Sequence, residues 1–366
     1  MEEHYTVRPT DLTHRERVRL ALEHRETDRV PIAMVCSGLN PPAHADLSEY
    51  LRANRGVSVE QYLKPLLDIE YIGPCYIGPP LEPNQDIWGV VRRSVSYGTG
   101  SYEEIDFYPL ANAESIDDLR GYNWPSTEWF DYSGIPESIR RANAEQEYCL
   151  MISGGNPFET AWYMMGLEKM FADLVLEPEL ADCILTRVTE FFVEHTRKTL
   201  EAAGGMVDLV FTADDIGGQQ GLLLSLGMWE DYIKPHHERL NRLIHEFGAR
   251  VIYHTDGAVM PAVPGLIDMG IDVLQALQFD AHGMDPDVLK ASYGDRLCFE
   301  GGISVQSTLP FGTVEAVREE VRERIRVLAK DGGHILGPSH AIQAGTPPEN
   351  IVAMFDTAYQ HRLGAT

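Results

Sequence analysis

From residue 148 onward the chain repeats one unit: a short apolar run, a polar tip, then ten or more residues with helical spacing. The apolar runs are YCLMISGG (148–155), MVDLVFTADD (206–215), RVIYHTDG (250–257), IDVLQALQ (271–278), RLCFEGGIS (296–304) and HILGPSH (334–340). Between them, stretches such as WEDYIKPHHERLNRLIHEFG and TVEAVREEVRERIRVLAKDGG carry apolar residues on one helical stripe. Strands separated by helices pair in parallel, because a parallel neighbour needs a crossover. Upstream, DRVPIAMVC (28–36) and IEYIGP (69–74) read as two further strands, after a first helix whose start is marked by a Thr13–Glu16 capping box. About eight strands favour a closed α/β barrel, the (β/α)8 TIM barrel, over an open doubly wound sheet. No GxGxxG follows a strand, which removes the usual dinucleotide reading. Residues 88–109 break the rhythm with two β-rich runs around YGTG, a small β-hairpin insertion. The expectation is one domain over 1–366, with residues 1–12 as an extended N-terminal arm.

The net charge of −26 argues against nucleic acid and anionic membrane surfaces as partners, since both are gripped by clustered Lys and Arg. No run approaches 18 apolar residues and the first residues lack an apolar leader segment, so a cytoplasmic protein is expected. The five cysteines (Cys36, Cys75, Cys149, Cys183, Cys298) are scattered, odd in number and without a CxxC pair. They read as reduced, mostly buried thiols.

In a barrel of this kind the interior is packed with branched apolar side chains, and chemistry sits at the C-terminal ends of the strands. Polar residues recur there: Ser153 and Asn156, Asp214 and Asp215, His254 and Asp256, Gln275 and Gln278, Glu300, Ser339 and His340. Each has a plainer reading. Asp214 or Asp215 would cap a helix, Asp256-Gly257 would make a turn, Gln278 would satisfy loop backbone, and His340 would lie on a surface loop. His195, His236, His237 and His245 lie in helical stretches and read as structural. Glu300 is the hardest to explain as structural, because a carboxylate after LCF is costly to bury without a partner. Residues i and i+2 of a strand share a face, so His254 and Asp256 point the same way. If His340 joins them, two imidazoles and a carboxylate suit Zn²⁺ with an open fourth position, or a non-haem ferrous ion.

TDRVPI, DDIGGQQGLLLSLGMWEDYIKPHHERL, the H-T-D-G tip, GIDVLQALQ, YGDRLCFEGGIS and GPSHAIQAGTPPENI together resemble the uroporphyrinogen decarboxylase superfamily. That group includes cobalamin-dependent methyltransferases and is built on a (β/α)8 barrel, in agreement with the strand rhythm. The decarboxylases carry an arginine-rich segment after the first strand to grip a polycarboxylate. Here that segment is MVCSGLNPP, with no arginine between Arg29 and Arg52, so uroporphyrinogen decarboxylation is not expected. The methyltransferase branch binds zinc through an H-x-C-G tip and a later cysteine ahead of P-x-E-N-I. His254 matches the histidine, Asp256 stands where that branch has its first cysteine, and His340 where it has the second. The resemblance therefore implies a metal corner with harder ligands, better suited to polarising a methoxyl or hydroxyl oxygen than to activating a thiol.

The implied function is a metal-assisted methyltransferase moving a methyl group between a small methylated substrate, methoxylated compounds among those that fit, and a corrinoid or folate carrier. His254, Asp256 and His340 would hold the ion, zinc before iron. Asp214, Asp215 and Glu300 would orient substrate or shuttle a proton, and Ser153, Asn156, Gln219 and Gln278 would line the substrate site. No D-x-H-x-x-G corrinoid segment occurs, so the corrinoid would ride on a separate protein, with tetrahydrofolate as the other carrier. The alternatives are a metal-independent decarboxylase or lyase acting on a small carboxylate, and a non-enzymatic barrel serving as a carrier-protein partner or sensor. The resemblance also leaves room for a homodimer.

Overall fold

The computed structural model describes residues 12–36, 38–96, 98 and 100–363; the expected N-terminal arm lies outside them apart from Leu12. Seven parallel strands pair in sequence order into one curled sheet: β1 (Ile69–Tyr71), β2 (Cys149–Gly155), β3 (Leu209–Ala213), β4 (Arg250–His254), β5 (Val273–Ala276), β6 (Cys298–Ile303) and β7 (His334–Pro338). The stretch expected as the first strand, 28–36, fills the gap between β7 and β1. Leu336 donates to Pro31 O at 2.8 Å, Ala33 donates to Leu336 O at 2.9 Å, and Asp68 donates to Ile32 O at 2.8 Å. Pro31 has no N–H, so this eighth stave pairs through single bridges instead of a ladder. The architecture is the expected TIM-barrel-like α/β fold. The insertion forms as an antiparallel pair, Val91–Ser96 with Ser101–Phe107.

Alternate strand residues face the interior. Ala33, Ile69, Cys149, Met151, Leu209, Ile252, Val273, Cys298 and Ile335 fill it, and Val18 and Ala21 of the helix His14–Leu22 plug the bottom. The capping box on Thr13 and Glu16 starts that helix as expected. The segment 229–248, expected as one helix, belongs to two: Leu226–Tyr232 and Lys234–Glu246. Pro235 removes an N–H and crowds the preceding turn, so the chain breaks at Ile233. No helix among the described residues is long and apolar enough to cross a membrane.

The closing stave is held by a buried ionic cluster. Asp68, just before β1, accepts from Arg29 Nη1 at 2.7 Å and Nη2 at 3.0 Å, Arg17 Nη1 at 2.6 Å and the Ile32 N–H at 2.7 Å, with His14 Nδ1 at 2.8 Å. Arg17 reaches on to Asp28 with two bonds of 2.7 and 2.9 Å. Burial works to raise the Asp68 carboxyl, but Arg29, His14 and Arg17 outweigh it and hold it well below the ordinary carboxylate range. Removing one charge from such a cluster strands the others in the interior, so Asp68→Asn should cost about 3–5 kcal/mol at neutral pH, read by urea unfolding. A depressed carboxyl stabilises above its unfolded value and loses that contribution as pH falls. The gap between wild type and D68N should therefore be full at neutrality and shrink below about pH 4. A gap that stays constant into acid would refute the assignment.

Candidate functional site

Register builds the cavity floor. Ala213 pairs with His254, His254 with Gln275, Gln275 with Glu300 and Glu300 with Ile335, so these residues form one row across the sheet, pointing inward. The apolar interior ends at this row and polar groups begin. His254 Nδ1 hydrogen-bonds Gln275 Oε1. The acceptor there is a carbonyl, so Nδ1 carries a proton and Nε2 is the nitrogen turned to the cavity. Below it Glu300 is fully buried and neither carboxyl oxygen makes a hydrogen bond of full geometry; the Gln275 amide is the polar neighbour that bears on it. Burial, reinforced by the nearby Cys36 sulfur, pushes this carboxyl well above its ordinary value, so it is neutral. Room for it exists only because residue 337 is glycine: a Cβ there would meet Glu300 Oε1 at 2.8 Å and Ala33 O at 2.5 Å.

The H-T-D-G tip is fixed by its neighbours. The Asp256 N–H donates to Asp215 Oδ1 at 2.8 Å and the Gly257 N–H to Gln278 Oε1 at 3.0 Å. Gly257 has φ +86°, and a Cβ would run into Gly218 O at 2.6 Å, so only glycine fits. His254, Asp256 and His340 do converge. His254 Nε2 lies 3.8 Å from Asp256 Oδ1, His340 Nε2 lies 3.8 Å from Asp256 Oδ2, and the imidazole centroids are 5.7 Å apart. His340 is part of this cavity wall, only a third exposed.

Two donor sets are compact enough for one ion. Cys36, His254 and His340 present ligand atoms within 4.8 Å of one another, and so do Asp215, His254 and Asp256. Cys36 departs from the expectation of an inert buried thiol: it stands at the exit of the closing stave, against both imidazoles. Burial alone would raise its thiol, but hydrogen bonds from His254 and His340 hold it down to about 6. His254 moves oppositely. Burial would lower it, yet Cys36, Asp256 and Asp215 raise it to about 10, and Cys36 likewise raises His340. Without an ion this is a thiolate between two protonated imidazoles. A divalent ion replaces those protons with its own charge on the same three atoms, so the donor chemistry fits a metal. One buried oxygen, Asp256 Oδ1, makes no hydrogen bond among the described residues and is on hand as a further donor.

The other expected site residues separate. Asp214 faces away from the ion donors; its carboxylate accepts the Phe158 and Glu159 N–H groups at 2.9 and 2.7 Å and pairs with His237 Nε2 at 2.6 Å. It thus serves the first turn of the helix Pro157–Met165, earlier in the chain, and not a helix beginning after its own strand as the plainer reading had it. Asp215 supports the tip. Ser153 faces Tyr71 at the mouth. Gln278 holds the tip, while Gln219 is exposed and contributes its backbone carbonyl to His282 N–H at 2.9 Å. Asn156 Nδ2 donates to Glu159 Oε2 at 3.1 Å, a bond within the first turn of the helix Pro157–Met165. Among the other cysteines, Cys149 and Cys298 are buried thiols, Cys183 is half-buried and Cys75 exposed.

The family model for uroporphyrinogen decarboxylase matches residues 93–361. Over 197 residues the chain is 28% identical to a methylated-thiol–coenzyme M methyltransferase of Methanosarcina mazei, covering 54% of this chain and 49% of that protein. It is 22% identical over 264 residues to the chloroplastic uroporphyrinogen decarboxylase 2 of Oryza sativa subsp. japonica, covering 69% and 63%. A uroporphyrinogen decarboxylase of Aromatoleum aromaticum matches at 24% over 291 residues, covering 78% and 71%. The chain thus spans about half the length of the methyltransferase relative and somewhat less than two thirds of the Oryza one. A solved methyltransferase from Methanosarcina mazei superposes with a TM-score of 0.69 over 95% of this chain and 98% of that one, at 18% identity, which is a likeness of fold.

In metal-free protein, alkylation of Cys36 by iodoacetamide should rise with a midpoint near pH 6, because the thiolate forms as pH passes its depressed value. His254→Ala should move that midpoint toward the ordinary 9.0. Cys149 and Cys298, whose thiols burial pushes up, should stay unlabelled. Site-resolved mass spectrometry reads all three, and a Cys36 midpoint unmoved by His254→Ala would refute the pairing.

Proposed function

The chain belongs to the uroporphyrinogen decarboxylase family, and we propose that within it this protein is a zinc-dependent methyltransferase acting on a small methylated substrate. The observation that carries this is the meeting of Cys36, His254 and His340 at the barrel mouth, with ligand atoms within 4.8 Å of one another. Three protein donors leave a fourth position for chemistry, the pattern of catalytic zinc. A thiolate among the ligands favours zinc over a ferrous ion, which the His254, His340 and Asp256 donors alone would suit equally well. An ion within about 2.0–2.3 Å of each donor needs only small side-chain rotations to draw them together. The relatives include a methyltransferase, and the acceptor on this reading is a corrinoid carried by a separate protein, with tetrahydrofolate as the other candidate.

The bound ion would supply positive charge at the cavity floor, drawing electrons from the atom that carries the methyl group. Gln275 fixes the His254 tautomer, and neutral Glu300 beneath it keeps a second negative charge away from the thiolate. Asp215 and Gln278 hold the tip so that His254 and Asp256 keep their aim. Decarboxylation of a polycarboxylate has no such support. Arg29 of the closing stave is fully buried and committed to Asp68, and Arg17 beside it is committed to Asp28 and Asp68.

Purified protein should contain about one zinc per chain. Cys36→Ser, His254→Ala and His340→Ala should each abolish stoichiometric zinc, and Gln275→Leu should weaken affinity by roughly 10–100-fold through loss of the histidine's partner. Methyl transfer to cob(I)alamin, followed by loss of its absorbance, should track zinc content through chelation and reconstitution. Undiminished turnover by zinc-free protein would overturn the reading.

A further inference from the structure

A cavity of about 280 Å³ opens between the helix Pro178–Ala203 and the excursion that leads from β1 to β2. Its aromatic walls are Trp88, Trp124 and Phe191. All three belong to the apolar layer between sheet and helices and not to the set that fills the barrel interior. The cavity is therefore in a different layer from the ion donors. Its volume is at the small end of ligand cavities, which start at about 300 Å³. The walls are fixed before anything binds. The Trp88 backbone N–H donates to Asp86 Oδ1 at 2.9 Å, its carbonyl accepts the Tyr122 hydroxyl, and its ring packs edge-on against Phe191 at 5.0 Å. The Trp124 indole N–H donates to Leu119 O at 3.3 Å, and its ring meets that of Tyr122 at 5.1 Å.

Three polar groups on these walls are left without partners. Trp88 is only 7% exposed, yet its indole N–H makes no hydrogen bond among the described residues. The Arg187 and Glu190 side chains stand one helical turn apart, and neither pairs with the other or with any other described residue. Elsewhere this spacing closes into an ion pair, Glu137 with Arg140 and Glu323 with Arg326. In those pairs the carboxylate precedes the arginine, the favourable order along a helix, and here the order is reversed. One cation, one anion and one indole donor thus face an aromatic cavity with their bonding capacity unused.

We propose that this cavity binds a small zwitterion of the betaine class, a quaternary ammonium joined to a carboxylate. The carboxylate takes the Arg187 guanidinium and the Trp88 indole N–H, both donors without acceptors of their own. The ammonium lies among the aromatic rings, whose faces attract cations, with Glu190 beside it. The walls also discriminate between kinds of ammonium. A primary ammonium brings three N–H donors, each wanting an acceptor. The lining offers one carboxylate and the oxygens of Ser126 and Thr127, which already accept the Glu128 N–H at 3.2 Å and the Lys198 ammonium at 3.0 Å. A methylated nitrogen asks for no acceptor and gains from contact with the rings. Binding here stands independently of methyl transfer at the mouth.

The test is calorimetric titration of the purified protein with glycine betaine at constant ionic strength, which should show a saturable site. Two of the five tryptophans line the cavity, so indole emission should change over the same concentrations. tert-Butylacetate has the shape of glycine betaine without its positive charge and should bind roughly tenfold more weakly. Choline keeps the cation and loses the carboxylate, and should bind about fivefold more weakly. Arg187→Glu should reverse that preference, so that choline binds more tightly than glycine betaine. Residue 187 is an exposed helix position with no side-chain bond to lose, so this variant should keep the fold. Cys36→Ser, which removes a donor at the mouth, should leave glycine betaine affinity unchanged. The absence of saturable heat, or heat without a change in emission, would overturn the proposal. Equal binding of tert-butylacetate would reduce the site to a plain apolar cavity, and a preference unmoved by R187E would remove the carboxylate assignment. Loss of binding in C36S would move the ligand to the mouth and overturn the second site.

Discussion

One buried carboxylate decides where the barrel closes. Asp68 gathers Arg17 and His14 from the bottom helix, Arg29 from the closing stave, and the Ile32 backbone N–H, all within 3.0 Å. A stave that enters through Pro31 cannot build a full ladder, so its position needs another source. The ionic cluster supplies it, together with the apolar packing of Val30 and Ile32. A desolvated cluster like this adds less net stability than its Coulomb energy suggests, but it tolerates little displacement of its members. That intolerance sets the register of the stave, and five residues past Pro31 the same register delivers Cys36 to the mouth.

The floor of the cavity follows the same logic with uncharged groups. Parallel pairing aligns His254, Gln275 and Glu300 in one row. Within it the Gln275 carbonyl oxygen fixes the His254 ring, and Glu300 stands on the other side of Gln275. A neutral Glu300 is tolerated in the interior where an ionised one would not be, since desolvation of an unpaired carboxylate far exceeds what a single amide could offset. Gly337 belongs to this arrangement as much as the polar groups do, because a side chain there would occupy the space of the acid.

Much of this was legible in the sequence, and the gaps have physical causes. Apolar runs spaced by helical stripes located all seven laddered strands, since both patterns follow from burial. Strand-tip polarity located His254, Asp256 and His340, and the fold brings each imidazole within 4 Å of the Asp256 carboxylate. Cys36 obeys the same rule, standing at the exit of IAMVC. It was passed over because cysteines were weighed by number and spacing, which speak to disulfides and zinc knuckles but not to strand position. With Cys36 in the set, the corner is softer than a histidine and aspartate corner alone implies. Asp214 shows the opposite ambiguity: the residue that ends a strand is also the one placed to cap a neighbouring helix, and only coordinates tell which N–H groups lie in reach. Gln219 failed for a plainer reason, its loop turning the side chain to solvent.

The donor set also couples the site to the fold. Cys36 comes from the closing stave, His254 from the tip of β4, and His340 from the loop after β7, so the three reach the mouth from different parts of the ring. The stave and β7 are direct neighbours, bridged at Ile32 and Leu336, and an ion held by Cys36 and His340 would add a bond across that seam. A ligand that binds only the closed ring stabilises it by RT ln(1 + [L]/Kd). Asp68 works on the stave's other seam, the one shared with β1. Beyond Cys36 the chain pairs again with the segment after β7, Ile342 N–H donating to Gly38 O and Asn40 N–H to Ile342 O at 2.9 Å each, so this exit is held by backbone whether or not the three donors are filled. An occupied donor set would still tie the chemistry of the site to closure of the ring.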